Sequence, residues 1–143
     1  MHQFLSRRIF ILIPTMSIFK LIFKPIEVIA SSLTSKDHAQ ISRLIAQKEE
    51  HGHKVKDEIR VIWGDYIKEP QLEKYPELHS LSHSIMLAAS KAKQNVDKSA
   101  TLDLLEKVNR FSEIFWDSKN IKTFKAVSPY PPEQELVYPD LKN

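Results

Sequence analysis

Two glycines in 143 residues, Gly52 and Gly64, constrain this chain more than any motif in it. Tight hairpin turns and bulges draw on glycine to reach positive φ. A chain this poor in glycine is a bad candidate for a fold of many short strands, and it holds no glycine-rich phosphate loop. With 42% hydrophobic and 27% charged residues it still has the composition of a soluble protein with a core. That core is expected to come from helices, and the length leaves room for one domain.

Periodicity supports this. Ile41, Leu44 and Ile45 begin a helical stripe after Thr34 or Ser35 as a cap. The polar stretch Glu49-Glu50-His51-Gly52-His53 predicts a break. Val55, Ile59, Ile62, Trp63, Tyr66 and Ile67 form the clearest amphipathic pattern, which Pro70 is expected to end. A third helix is expected from Pro76, with Leu78, Leu81, Ile85, Ala88, Ala89 and Ala92 on its buried face. A fourth, capped by Ser99 or Thr101, carries Leu102, Leu105, Val108, Phe111, Ile114 and Phe115. After Ser118 the prolines of Ser128-Pro129-Tyr130-Pro131-Pro132 and Tyr138-Pro139 predict an extended, non-helical arm lying across the bundle or a partner. The expected fold class is all-α: a small four-helix bundle with an apolar N-terminal segment and an extended Pro-rich C-terminal arm. Its expected parts are residues 1–30, 31–118 and 119–143.

Residues 1–30 are expected to be an address rather than fold. Arg7 and Arg8 precede an apolar run of eleven residues, 9–19, too short to span a bilayer as a helix, which takes about 20. Ser6-Arg7-Arg8-Ile9-Phe10-Ile11 resembles the twin-arginine export signal. Lys20 and Lys24 after the run are typical of that route, and Val28 and Ala30 suit a peptidase cutting after Ala30. The resemblance implies Ser6, Arg7, Arg8 and Phe10 as the export signal and a periplasmic location. An uncleaved interfacial helix or membrane anchor, a mitochondrial presequence, or a buried helix in a larger complex would use the same residues differently.

Charge and cysteine content exclude several functions. The net charge of +3 sits wholly in residues 1–30, and the remaining 17 basic and 17 acidic residues cancel. Nucleic-acid binding therefore has no bulk electrostatic basis. There is no cysteine, which removes disulfides, thiolate metal sites and a thiol nucleophile. His79 and His83, four apart on one helix face, are the candidate metal pair, with His38, or His51 and His53 with Asp57, as further donors. Glu49, Glu50, Asp57 and Glu58 read as solvated helix faces, and Ser80, Ser82 and Ser84 lack a nucleophile-elbow turn. The aromatics Trp63, Tyr66, Phe111, Phe115 and Trp116 read mostly as core, with a partner-facing patch as the alternative.

Ser32-Leu33-Thr34-Ser35-Lys36, the helix Ile41-Ser42-Arg43-Leu44-Ile45, the segment Asn109-Arg110-Phe111-Ser112-Glu113-Ile114-Phe115-Trp116 and the tail holding Pro129-Tyr130 and Tyr138-Pro139 together resemble the small subunit of membrane-bound, FAD-dependent sugar and alcohol dehydrogenases of the sorbitol/fructose/gluconate type. Residues 84–89 lack the aromatic and glycine of that family's central helix. The resemblance implies a non-catalytic subunit that escorts, exports and stabilises a periplasmic flavoprotein. It implies no cofactor in this chain, FAD in the partner, and the twin-arginine machinery as a second partner. Membrane association would come through the complex or the N-terminal segment. Phe111, Phe115, Trp116, Tyr130 and Tyr138 would be the partner-binding residues. Two alternatives stand beside it: a periplasmic His-based metal-binding bundle, and an accessory subunit of a membrane complex anchored by its N-terminal helix.

Overall fold

The computed structural model describes residues 38–129 and 133–142. Among these the chain is mostly helical, with four α-helices and one two-stranded sheet. Helix α1 spans His38–Val61 and runs into a π-helical turn, Ile62–Tyr66. Helix α2 is short, Glu69–Lys74; α3 spans Leu78–Gln94 and α4 Lys98–Asp117. Strands β1, Thr123–Val127, and β2, Glu135–Pro139, pair antiparallel with Phe124 opposite Tyr138. No helix of the described residues is long and apolar enough to cross a membrane.

Helix α1 passes straight through Gly52 where the sequence predicts a break. A β-carbon at Gly52 would collide with Cγ and Cδ of Lys93 and lie 3.7 Å from the Ala89 carbonyl oxygen. The glycine is thus the point at which α1 approaches the alanine face of α3, not a breaker. One turn earlier, Lys48 is buried and donates to the carbonyls of Ala92 at 3.0 Å, Asn95 at 3.1 Å and also Lys93. A helix C-terminus leaves its last carbonyls without partners and carries partial negative charge, so this ammonium satisfies both.

Pro70 does not end the amphipathic helix; it sits in the first turn of α2, where its missing N–H costs nothing. The helix before it ends in the π turn, closed by the Ile67 N–H donating to the Ile62 carbonyl at 3.2 Å. The extra residue in that turn lets Ile62 and Ile67 both reach the core. Helix α4 is capped by Asp97, whose carboxylate accepts from the Ser99 N–H at 2.8 Å and its hydroxyl at 2.7 Å, rather than by Ser99 or Thr101. The turn that follows it closes on Asn120 in the left-handed region, φ 58°, a conformation asparagine tolerates.

The core joins Val55, Ile59 and Ile62 to Leu78, Ile85 and Ala89 of α3 and to Leu104, Val108, Phe111, Ile114 and Trp116 of α4. Helix α3 packs against both α1 and α4. The C-terminal arm is extended, as expected, but it pairs with itself. The Asn109 side chain of α4 donates to the Glu135 carbonyl at 2.9 Å and accepts from the Val137 N–H at 3.2 Å. It thereby stands in for a neighbouring strand and docks Leu136 and Val137 into the core.

Candidate functional site

Polar chemistry gathers where the π turn and α2 lie against α3 and α4. Tyr66 stacks edge-on against Phe115 at 5.2 Å, and its hydroxyl lies 2.8 Å from Ser118 Oγ. Ser118 Oγ donates to the Phe115 carbonyl at 2.6 Å, so Tyr66 is the donor of the pair. The Tyr75 hydroxyl and Lys74 Nζ (3.0 Å) both meet Asp117 at the end of α4. The Tyr75 bond first, and Lys74 second, hold the Asp117 carboxyl below its ordinary range. Arg110 bridges Glu77, at 3.1 Å from Nε, and Glu113.

On the other side of α3, Trp63 Nε1 donates to His79 Nδ1 at 3.0 Å, with the rings edge-to-face. These two residues line a cavity of about 340 Å³ together with Lys56, Arg60, Ser82, His83 and Met86. Lys56 Nζ donates to Ser90 Oγ at 2.6 Å, and Arg60 Nη1 meets Asp57 at 3.2 Å.

The candidate metal pair His79 and His83 therefore shares a cavity, but His79 Nδ1 is already engaged by an indole N–H. His51 is buried with Nδ1 unpartnered, and burial pushes its pKa down. His53 faces Lys93 Nζ at 2.8 Å, and Asp57 is paired with Arg60. Among the described residues no three His, Asp or Glu side chains come together to hold a metal ion. Glu50 pairs with Lys54 at 2.6 Å on an exposed face. Ser80 and Ser84 bond back to the carbonyls of Glu77 and Leu81.

Of the residues expected to bind a partner, Phe111, Phe115 and Trp116 lie in the core of this chain, Trp116 at 0% exposure. A side chain so placed has no surface to offer a partner. Tyr138 is half-buried and stacks on Phe124 at 5.7 Å. Tyr130 and the expected export residues Ser6, Arg7, Arg8, Phe10 and Ala30 lie outside the described residues. Sequence reasoning missed Lys56, Arg60 and Ser82 as cavity residues. The signal was there: Lys56 and Arg60, like His79 and His83, are four apart on a helix face.

Comparison with known proteins decides the family. The profile of the nickel-containing superoxide dismutases matches residues 9–119. The chain belongs to the nickel-containing superoxide dismutase family. It is 36% identical over 78 residues to the nickel superoxide dismutase of Streptomyces coelicolor, covering 54% of this chain and 60% of that protein. It is 33% identical over 96 residues to that of Streptomyces seoulensis, covering 66% and 72%. The chain thus spans about 60% of the length of the first of these relatives. Among solved structures of nickel superoxide dismutase, the apo form overlays with a TM-score of 0.63 at 27% identity, covering 73% of this chain and 96% of that one. A histidine-to-alanine variant gives 0.62 at 28%, with the same coverage.

Membership in the nickel-containing superoxide dismutase family overturns the resemblance to the dehydrogenase small subunit. With it go the escort function, the flavoprotein partner and its FAD, the non-enzyme reading, the expectation of no cofactor, and the two alternatives, a His-based metal-binding bundle and an anchored accessory subunit. The residues that carried the resemblance have local explanations: Asn109 docks the hairpin and Phe111 to Trp116 are this bundle's own core. The family match begins at residue 9, inside the apolar run, and gives the twin-arginine route and its export machinery as a partner no support. The hairpin lies beyond the matched residues.

Nickel is the metal the family implies, and the donors described here do not fit it. Nickel held only by imidazole, carboxylate and carbonyl groups stays divalent at ordinary potentials. Electron-rich donors such as thiolate bring a second oxidation state within reach. The chain has no cysteine, and the described histidines are dispersed or already bonded.

Proposed function

We propose that this chain is a superoxide dismutase, converting superoxide to dioxygen and hydrogen peroxide. What carries the reading is one observation: the family profile spans residues 9–119. The overlay of the bundle on nearly the whole of a solved nickel superoxide dismutase chain supports it. The described bundle acts as scaffold in this reading. It packs Tyr66 of the π turn against Phe115 of α4 and Trp63 against His79 of α3.

The test is superoxide removal by the full chain, prepared separately with nickel, copper, iron and manganese, with metal content measured on each sample. Activity with stoichiometric nickel supports the reading and places the donors outside the described residues. Activity with another metal supports dismutation and replaces nickel as the working ion. Folded protein without activity under every loading overturns the reading.

A periplasmic site of action is part of the proposal, resting on Arg7 and Arg8 ahead of the apolar run. Cell fractionation, with the mass of the mature N-terminus, tests it; a chain confined to the cytoplasm with Met1 retained sinks it.

A further inference from the structure

The cavity between α1 and α3 is built for a negative charge, and we propose that it binds a small oxyanion, a carboxylate or phosphate ester, carried on a flat apolar body. Its lining contains two cations, Lys56 and Arg60, and no carboxylate. Asp57, the nearest partner of Arg60, takes Nη1 on the exposed face, and Lys56 is held by the Ser90 hydroxyl, a neutral acceptor that leaves its charge uncompensated.

The histidines add donors rather than metal ligands. An indole N–H only donates, so His79 Nδ1 must accept the bond from Trp63, and uncharged His79 carries its proton on Nε2. That tautomer carries a donor rather than a lone pair on Nε2, so the ring offers a metal no ligand atom. His83, one turn on, lines the same cavity.

Ser82 supplies an independent indication. It is 4% exposed, lines the cavity, and its Oγ has no hydrogen-bond partner. A hydroxyl in a helix can bond back to the preceding turn, as Ser80 and Ser84 on either side do. Ser82 does not, and its Oγ, shut off from solvent behind the lining, carries a desolvation cost that a ligand oxygen recovers once a side chain of the wall swings aside.

Trp63 and Met86 complete the lining with an indole and a thioether. Trp63 is a large aromatic left 41% exposed, the kind of surface on which a flat ring stacks. The volume suits a small aromatic anion and exceeds what a bare inorganic ion fills.

The experiment uses the full chain and three probes: phenyl phosphate, inorganic phosphate and benzyl alcohol. Binding is followed by calorimetry and by the NMR signal of the Trp63 indole N–H. Phenyl phosphate is expected to bind saturably and to shift that signal, with inorganic phosphate weaker and benzyl alcohol weaker still. Arg60→Gln and Lys56→Gln, both on accessible side chains, are each expected to weaken phenyl phosphate about tenfold. Ser82→Ala should weaken it severalfold with the thermal midpoint unchanged or raised. The proposal is overturned if phenyl phosphate shows no saturable binding up to about 10 mM to protein whose spectrum shows it folded. It is equally overturned if the Arg60→Gln and Lys56→Gln double variant binds as the parent does, or if nickel(II) or zinc(II) binds at His79 and His83 with loss of the Trp63–His79 bond.

Discussion

His51 illustrates how one residue can tie stability to pH. It lies buried on α1, and burial depresses its pKa below its ordinary value of 6.5. The folded protein therefore binds the proton less readily than the unfolded chain does. Its contribution is present above 6.5 and is lost as pH falls through that value toward the lower folded one. Thermal unfolding at about pH 7.5 and about pH 5.5 should show a clear drop in midpoint, and His51→Leu should shrink that drop. An unchanged pH dependence in the variant would remove His51 as the cause. Ser112 makes a second case at this scale. Its Oγ is buried in α4 without a partner, so Ser112→Ala removes a desolvated polar group and little packing. The expected change is neutral to about 1 kcal/mol stabilising, read from urea unfolding; a loss of more than that would mean the hydroxyl has a partner.

Among the elements, two polar side chains reinforce what the apolar core joins. Lys48 closes the C-terminus of α3 from the side of α1 by bonding three carbonyls. Lys48→Met keeps the apolar stem and strips the charge. It is expected to cost about 2 kcal/mol, seen as a lower denaturation midpoint with an unchanged slope. Asn109 does the equivalent for the hairpin, offering a donor and an acceptor to β2. Asn109→Leu should leave the helices protected and raise amide hydrogen exchange across β1 and β2; unaltered exchange there would show that burial of Leu136 and Val137 alone holds the hairpin.

For the whole molecule, the question is whether the bundle shared with the family stands without the hairpin. The matched residues end at 119, and the hairpin adds Leu136 and Val137 to the core. Burying two such side chains contributes about 3 to 6 kcal/mol. A chain ending after Asn120 should lose stability in that range on urea unfolding, a large share of what a domain this size has. A loss near zero would show the family bundle to be self-sufficient.

Much of this was legible in one dimension. The helical stripes over residues 55–67, 78–92 and 102–115 depend on local periodicity, so helix type and most of each core face follow from sequence once glycine is so scarce, while Trp63 and Leu102, expected on those faces, lie 41% and 37% exposed. Proline in the tail likewise settled an extended backbone. What only the tertiary structure decided has a common cause: each case depends on a neighbour far along the chain. Gly52 is a breaker in isolation and a close-approach site once α3 lies beside it. Phe111, Phe115 and Trp116 are a partner patch or a core depending on what covers them, and α1, α3 and the hairpin do. The cavity of Lys56, Arg60, Trp63, His79 and Ser82 exists only because α1 and α3 run side by side, which brings residues 56 and 83 together. Periodicity reports which face of a helix is buried; it does not report what lies opposite.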